Sequence, residues 1–359
     1  MKNWKRGRRV RYAGLLTALV VLTAAYPAIS EAQQSKVGTT AAEFLTIPVG
    51  ARPIGMGGAF VAMNDDAYAL YWNPASLAML PQSEILMQHS TWLADMSYDF
   101  VGAAFVMGLN GTLGVYANML NVGEMEVTTD QYQEGTGLKF DSYSLAAALC
   151  YSYRFYDRFS IGGSFKYIRE AIWNESANGY AIDLGTLLIT PIKDIRLGMS
   201  ISNFGTKMQM SGRDLMFLND PDTDITGNNP NIPASYETDS WKLPLTMRLG
   251  VAGEVIKSGG NRVTIDADWV VPNDNTESLN IGGEYAFREM FMVRGGLKGI
   301  RAGRYDGKYK LFEPDNNGGY TFGAGFLFNM RGFRLRADYG FETFDRLGNV
   351  QKYSLGIKF

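Results

Sequence analysis

Cysteine and histidine are nearly absent, with Cys150 and His89 the single copies in 359 residues. One cysteine excludes an intrachain disulfide and any cysteine-based metal cluster. One histidine excludes the paired-histidine sites that hold catalytic zinc. Charge of one sign is also lacking: 34 Lys and Arg stand against 36 Asp and Glu, a net charge of −2. A protein that binds nucleic acid by neutralising phosphates needs a basic excess, so no nucleic-acid partner is expected. No G-x-S-x-G nucleophile elbow is present. The chain reads as a non-enzyme without cofactor or metal.

Against these absences stand 46% apolar residues, 13% aromatic residues and 41 glycines, at a mean hydropathy of only −0.12. Antiparallel strands with one apolar and one polar face combine such values, because alternation averages the hydropathy away. From about residue 83 the alternation is explicit. Phe333, Leu335, Ala337, Tyr339 and Phe341 share one face, with Arg334, Arg336, Asp338 and Gly340 between them. Val263, Ile265, Ala267 and Trp269 alternate with Arg262, Thr264, Asp266 and Asp268. Leu279, Ile281, Gly283, Tyr285 and Phe287 do so with Asn280, Glu284 and Arg288. Successive strand side chains point to opposite faces. Charges at alternate positions over several strands therefore need a wet interior, with something apolar outside. A soluble sandwich would place the apolar face inward. Three features oppose that. The segments reach ten residues or more, the length of a tilted membrane strand. Aromatic residues gather at segment ends, as Tyr151, Tyr153, Phe155 and Tyr156 do, which suits an interfacial girdle. Tyr353, Leu355, Ile357 and Phe359 close the chain on one face of a strand, resembling the signal read by the barrel-assembly machinery.

About fourteen segments are predicted, near 83–91, 96–108, 111–121, 141–154, 158–170, 178–190, 194–204, 241–255, 261–271, 277–288, 290–299, 319–329, 332–342 and 350–359. The first three alternate least cleanly. Even-numbered connections are short, and the long ones, near 122–140, 205–240 and 300–318, fall at odd positions. Short periplasmic turns alternating with longer outer loops are the pattern of a bacterial outer-membrane barrel. The fold class expected is an all-β membrane protein, an antiparallel transmembrane β-barrel of about fourteen strands, embedded in outer-membrane lipid.

Residues 1–32 read as a secretory signal. Lys2, Lys5, Arg6, Arg8, Arg9 and Arg11 form a basic head, Ala13 to Ala25 a short apolar run, and Ser30-Glu31-Ala32 a cleavage site. The run is short for a transmembrane helix, which leaves an uncleaved anchor as the lesser alternative.

Residues 33–82 do not alternate. Gly55, Gly57 and Gly58 permit tight turns and close backbone approach. Asp65 or Asp66 can cap a short helix, and Asn73 the next, with Pro74 in its first turn. So much glycine and apolar surface implies burial, and the only large wall available is the barrel. Gly55-Met56-Gly57-Gly58 lacks the full dinucleotide fingerprint and the strand that should precede it.

Gly50-Ala51-Arg52-Pro53-Ile54-Gly55-Met56-Gly57-Gly58-Ala59-Phe60, with Asp65-Asp66-Ala67 and Tyr71-Trp72-Asn73-Pro74-Ala75, closely resembles the PorV/PorQ family of the Bacteroidetes and related phyla. That family looks like a branch of the FadL-type barrels. The resemblance implies fourteen strands and an N-terminal hatch in the lumen. It assigns Gly55, Gly57, Gly58, Asp65, Asp66, Trp72, Asn73 and Pro74 to that hatch. Ser76 departs mildly, where the family often has glycine. The domains expected are a signal peptide at 1–32, a hatch at 33–82 and a barrel at 83–359.

The remaining candidates are weaker. His89 reads as a lumen or interface side chain and Cys150 as a small packed thiol facing the lumen. Asp220, Asp222 and Asp224 alternate as calcium ligands do. The EF-hand register fails at Ile225 and Asn231, and a solvated acidic loop is the plainer reading. The predicted lumen mixes signs through Arg196, Arg248, Glu254, Asp266, Asp268, Glu284, Arg294, Lys298, Arg334, Arg336 and Asp338. A selective pore would show one dominant sign, whereas mixed signs fit an ion-paired interior packed on a hatch. By resemblance, the function is a platform or shuttle in type IX secretion. It would receive cargo with C-terminal signal domains at the translocon and pass it to the attachment complex through the outer loops. The alternative is a FadL-like, hatch-gated transporter of hydrophobic molecules, with Met208, Met210, Leu215, Met216, Phe217 and Leu218 as the capture surface.

Overall fold

The computed structural model describes residues 37–359 apart from 109, 222–223, 225–228, 230, 306–307, 315–318 and 345–346. The expected signal peptide and Asp222 and Ile225 of the acidic loop lie outside the described residues.

Fourteen strands form one closed antiparallel barrel. They are β1 Glu84–Thr91, β2 Ser97–Met107, β3 Gly111–Glu126, β4 Lys139–Tyr156, β5 Phe159–Ile172, β6 Glu175–Ile189 and β7 Arg196–Gly205. After a long outer excursion come β8 Thr246–Ser258, β9 Asn261–Pro272, β10 Ser278–Phe287, β11 Phe291–Tyr305, β12 Tyr320–Asn329, β13 Arg334–Phe344 and β14 Gly348–Lys358. Each strand pairs with its sequence neighbours, and β14 closes on β1 with Tyr353 opposite His89. Closure leaves no unpaired edge, which hydrocarbon would not tolerate.

All fourteen expected segments are present, with ends shifted by up to about six residues. The even connections are short throughout, from two residues at 157–158 to six at 190–195. The odd ones are not uniformly long: 92–96, 173–174 and 273–277 are tight, while 127–138, 206–245 and 306–319 carry the length. Following the usual orientation, the short set marks the periplasmic side.

The outward face is apolar as the alternation requires. Met87, Phe165, Leu184, Val293 and Leu355 are each more than half exposed, which in a bilayer means lipid-facing. Tyr151, Tyr153, Phe155 and Tyr156 all face outward at the periplasmic end of β4.

The inward face explains why the first strands alternate poorly. Its β1–β5 sector carries a broad apolar patch, with Leu86, Phe100, Ala104, Tyr116, Ala146, Ala148, Cys150 and Ile168 buried there beside polar residues such as Gln88, Asn118 and Lys166. The β9–β14 sector is charged. The segment before β1 spans both. It forms a 3-10 turn Glu43–Thr46, a short helix Ala51–Gly55, a second Ala69–Trp72 and a 3-10 helix Pro74–Met79. Nearly every residue from Ile47 to Ala78 is buried.

A ring of inward glycines seats this segment. A Cβ on Gly162 would stand 2.4 Å from the Pro74 carbonyl carbon, on Gly185 2.1 Å from Asn73 Oδ1, and on Gly198 2.3 Å from Val61 O. On Gly282 it would meet Met56 O at 2.1 Å, and on Gly296 Gly57 N at 2.3 Å. The wall lacks side chains where the segment's backbone touches it. Gly295 has nothing within 4 Å of the same position. Gly296→Ala should therefore cost about 1–3 kcal/mol by overpacking and expose residues 49–63 to protease, while Gly295→Ala should do neither. Unfolding of the detergent-solubilised barrel and limited proteolysis check this pair; equal behaviour of the two variants would refute the seat.

Candidate functional site

Arg52 is fully enclosed at the centre of the lumen. Its Nε donates to Glu284 Oε2 at 2.8 Å and its Nη2 to Glu284 Oε1 at 2.9 Å. Its Nη1 reaches Asp65 Oδ1 and Asp66 Oδ2, both at 3.0 Å. The carboxylates are shared onward. Arg294 Nε meets Glu284 at 2.7 Å while its Nη1 meets Asp338 at 2.7 Å, and Arg262 Nη2 meets Glu284 at 3.0 Å. Arg336 Nη2 approaches Asp66 at 2.7 Å, and its Nε meets Asp338 at 2.5 Å. Glu84 accepts from Ala67 N at 2.9 Å, and Lys358 Nζ donates to Asp65 O at 2.8 Å. Arg52, Arg262, Arg294, Arg336 and Lys358 thus face Asp65, Asp66, Glu84, Glu284 and Asp338, five charges of each sign. Breaking a buried pair costs about 3–5 kcal/mol, because the abandoned partner remains desolvated.

Desolvation would raise both Asp65 and Asp66. The Arg52 guanidinium, with Lys358 behind it, instead holds Asp65 far below the usual carboxylate range. Arg336, then Arg52, lowers Asp66 in the same way. Depressed carboxylates contribute stability above the ordinary carboxylate range and lose it as pH falls through their folded values.

Asp65 and Asp66 were expected as helix caps. Their side chains instead bind Arg52 and Arg336, with Asp66 Oδ1 also accepting from Tyr68 N at 2.9 Å. The helix Ala69–Trp72 starts without a side-chain cap. Asn73 does cap: its Oδ1 accepts from Ala75 N at 3.1 Å, with Pro74 in the first turn. Its Nδ2 donates to Val61 O at 2.8 Å and Thr186 O at 3.1 Å, tying helix, loop and wall together. Trp72 Nε1 donates to Val49 O at 2.9 Å, and Arg248 lies over its ring. Gly57 takes φ +68° and donates to Thr321 Oγ1 at 2.9 Å; Gly58 takes φ +71°, and its carbonyl accepts from Asn280. Gly55 touches Gly323, with 3.0 Å between the Cβ it lacks and the opposite Cα. Ser76 is buried, and its Oγ has no hydrogen-bond partner among the described residues. Asp268 Oδ2 accepts from Phe60 N and Val61 N, at 2.7 and 3.0 Å.

Sequence reading missed the roles of Arg52 and Glu84. Arg52 stood within the motif, but no charge pattern around it pointed to Glu284, 232 residues away. His89 faces outward rather than into the lumen. Cys150 is inward and buried, with burial pushing its neighbourhood toward inert packing against Leu70 O at 3.9 Å. Tyr353, Leu355 and Ile357 face outward on β14, and Phe359 N donates to Ser83 O at 2.9 Å beside β1.

At the outer mouth, Thr40 Oγ1 bonds both Glu43 and Asp274 Oδ2, and Ala42 N donates to Glu170 Oε2 at 3.1 Å. Ala41 N donates to Lys242 O at 2.9 Å. Beyond it, Met216–Asn219 and Ile232–Ser235 pair as a hairpin outside the barrel wall. Met216, Leu218 and Tyr236 are largely exposed, and the Phe217 and Tyr236 rings lie 4.6 Å apart. Met208 does not join this surface. It is buried against Gly179, so the expected capture stretch is divided between core and loop.

With this geometry in hand, the family model described as type IX secretion system protein PorV matches residues 30–273. The chain belongs to the PorV family. No curated protein matches it significantly. Solved structures match over most of their length. A Pseudomonas aeruginosa FadL homologue is 14% identical, with TM-score 0.52, covering 87% of this chain and 98% of that one. The Pseudomonas putida toluene transporter TodX is 13% identical, with TM-score 0.53, covering 86% and 97%. The Ralstonia pickettii toluene transporter TbuX is 11% identical, with TM-score 0.51, covering 86% and 97%. At these identities the likeness establishes the fold. This PorV-family chain is an integral outer-membrane barrel of type IX secretion.

Two outcomes follow from the site. Arg52→Ala should lower unfolding stability in detergent by about 3–5 kcal/mol, with Arg52→Lys falling between; no change would remove the network from its central place. Partial burial at the mouth pushes the Glu43 carboxyl up to about 7; the hydrogen bond from Thr40 opposes this, while Asp274 and Glu170 add to it. A raised carboxyl stabilises the folded state below its ordinary value and loses that contribution as pH rises through 7. Amide exchange at residues 40–46 should therefore quicken between pH 6 and pH 8 beyond the intrinsic rate, and Glu43→Gln should abolish that excess.

Proposed function

We propose that this barrel is a non-enzymatic platform that receives type IX cargo at the translocon. It would hold the cargo by its C-terminal signal domain and deliver it to the surface attachment complex. The carrying observation is the filled lumen. Residues 49–78, bound to the wall by a largely buried ion-pair network and seated on glycine, leave the outer loops as the adaptable surface. Loops on a rigid scaffold are where binding roles concentrate, and the exposed Met216–Tyr236 hairpin supplies an apolar patch of the kind that marks partner sites. In this reading residues 1–32 are removed on export, residues 33–82 serve as a hatch, and Gly55, Gly57, Gly58, Trp72, Asn73 and Pro74 are its anchoring elements. Tyr353, Leu355, Ile357 and Phe359 form the barrel-assembly signal.

A second reading draws on the apolar β1–β5 sector of the lumen and the FadL-type neighbours: a hatch-gated route for hydrophobic molecules. A photo-crosslinker at Leu218, introduced in cells of the source bacterium, separates the two. Adducts with surface proteins sharing a C-terminal signal domain, or with the translocon, are expected. Adduct-free barrel that purifies with acyl chains bound in the lumen would overturn the platform reading in favour of transport.

A further inference from the structure

The chain's one histidine sits on the lipid-facing wall. His89 Nδ1 lies 2.6 Å from Asp99 Oδ1, and both side chains are at least half exposed, 62% and 50%. Among the described residues neither has a second hydrogen bond. Ionisable groups on a lipid-facing wall are rare and call for a polar partner. Its depth is fixed by the register. Tyr339, Tyr353, His89, Asp99 and Met119 occupy one cross-strand row, and outward tyrosines mark the headgroup level.

The next row inward is different in kind. Ala337, Leu355, Met87, Val101, Ala117 and Ala147 follow one another across six strands. The alanines leave the wall low between larger flanks, and a trough of about 760 Å³ opens there, bordered by Met119 and Leu145 and almost wholly apolar. That volume falls within the range of small-ligand sites, about 300–1,000 Å³. A protein partner would instead need a face of about 800 Å².

We propose that this trough is a specific binding site for one lipid bearing an amine headgroup. Its acyl chain lies along Met87, Val101 and Ala117, and its ammonium donates to the Asp99 carboxylate that His89 orients. The location dictates a lipid, since the surface faces the bilayer. The charge dictates the headgroup, since a carboxylate at the mouth of an apolar trough attracts an ammonium and repels an anionic head.

The full chain, purified in mild detergent, would be titrated with dioleoylphosphatidylethanolamine or dioleoylphosphatidylglycerol and retained lipid read by native mass spectrometry. One retained phosphatidylethanolamine is expected, preferred about tenfold, the scale of one charged hydrogen bond. Asp99→Asn should erase the preference, and Ala117→Trp should fill the trough and abolish retention. Both positions face outward, so both variants should keep the heat-modifiable migration of a folded barrel. Equal retention of the two lipids, a preference unchanged in Asp99→Asn, or no retained lipid would overturn the proposal. So would a photo-crosslinker at Met119 that captures a protein instead of lipid, which would reassign the trough to a membrane partner.

Discussion

Arg52 is charged at every pH a cell meets and is buried, so everything that surrounds it must answer that charge. Glu284 grips it from the wall, Asp65 and Asp66 from its own segment, and Glu284 and Asp66 are each claimed by a further cation. The segment carries Arg52, Asp65 and Asp66, and its departure would leave Arg262, Arg294, Arg336 and Lys358 on the wall against only Glu84, Glu284 and Asp338, an imbalance that a desolvated interior penalises. The charged sector of the barrel and the segment are therefore one electrostatic unit, although the chain between Asp66 and Glu284 makes most of a circuit of the wall.

The opposite sector is held by a different force. There Tyr68, Leu70 and Leu77 pack on the inward positions of β2 and β3, at Phe100, Gly102 and Gly114, and the gain comes from burying apolar area. This division sets orientation. Rotating the segment by a few strands would press apolar helices against arginines and leave Arg52 facing alanines. Specificity of seating comes from the mismatch every other arrangement would create.

Periodicity made the strands legible because membrane and wet lumen impose opposite demands on alternate residues, as at Phe333–Phe341. It weakened at β1–β3 for a physical reason: Leu86, Phe100 and Tyr116 point inward to an apolar segment, so both faces there are apolar. The charged lining was readable strand by strand, yet its pairing was not, since Arg52 and Glu284 are joined only by closure of the barrel. The inward glycines at 162, 185, 198, 282 and 296 looked like ordinary strand glycines; each acquires meaning only from the backbone opposite. The caps split the same way. Asn73 was readable because its partner is local, while the ion pairs of Asp65 and Asp66 were not, because Arg52 and Arg336 lie 13 or more residues away.

A barrel filled in this manner has exchanged its pore for rigidity. Its outward face is committed to lipid and its inward face to the segment, so the faces left for recognition are the two rims. The periplasmic rim is trimmed to turns of two to six residues. The outer rim concentrates its length in 127–138, 206–245 and 306–319, and leaves 92–96 and 173–174 tight. Length that could have been spread evenly is gathered over particular strands, and the exposed Met216–Tyr236 hairpin rises from the longest of these loops. A platform gains from both features present here, a base whose lumen is filled and ion-paired to its wall, and an apolar edge displayed to one side.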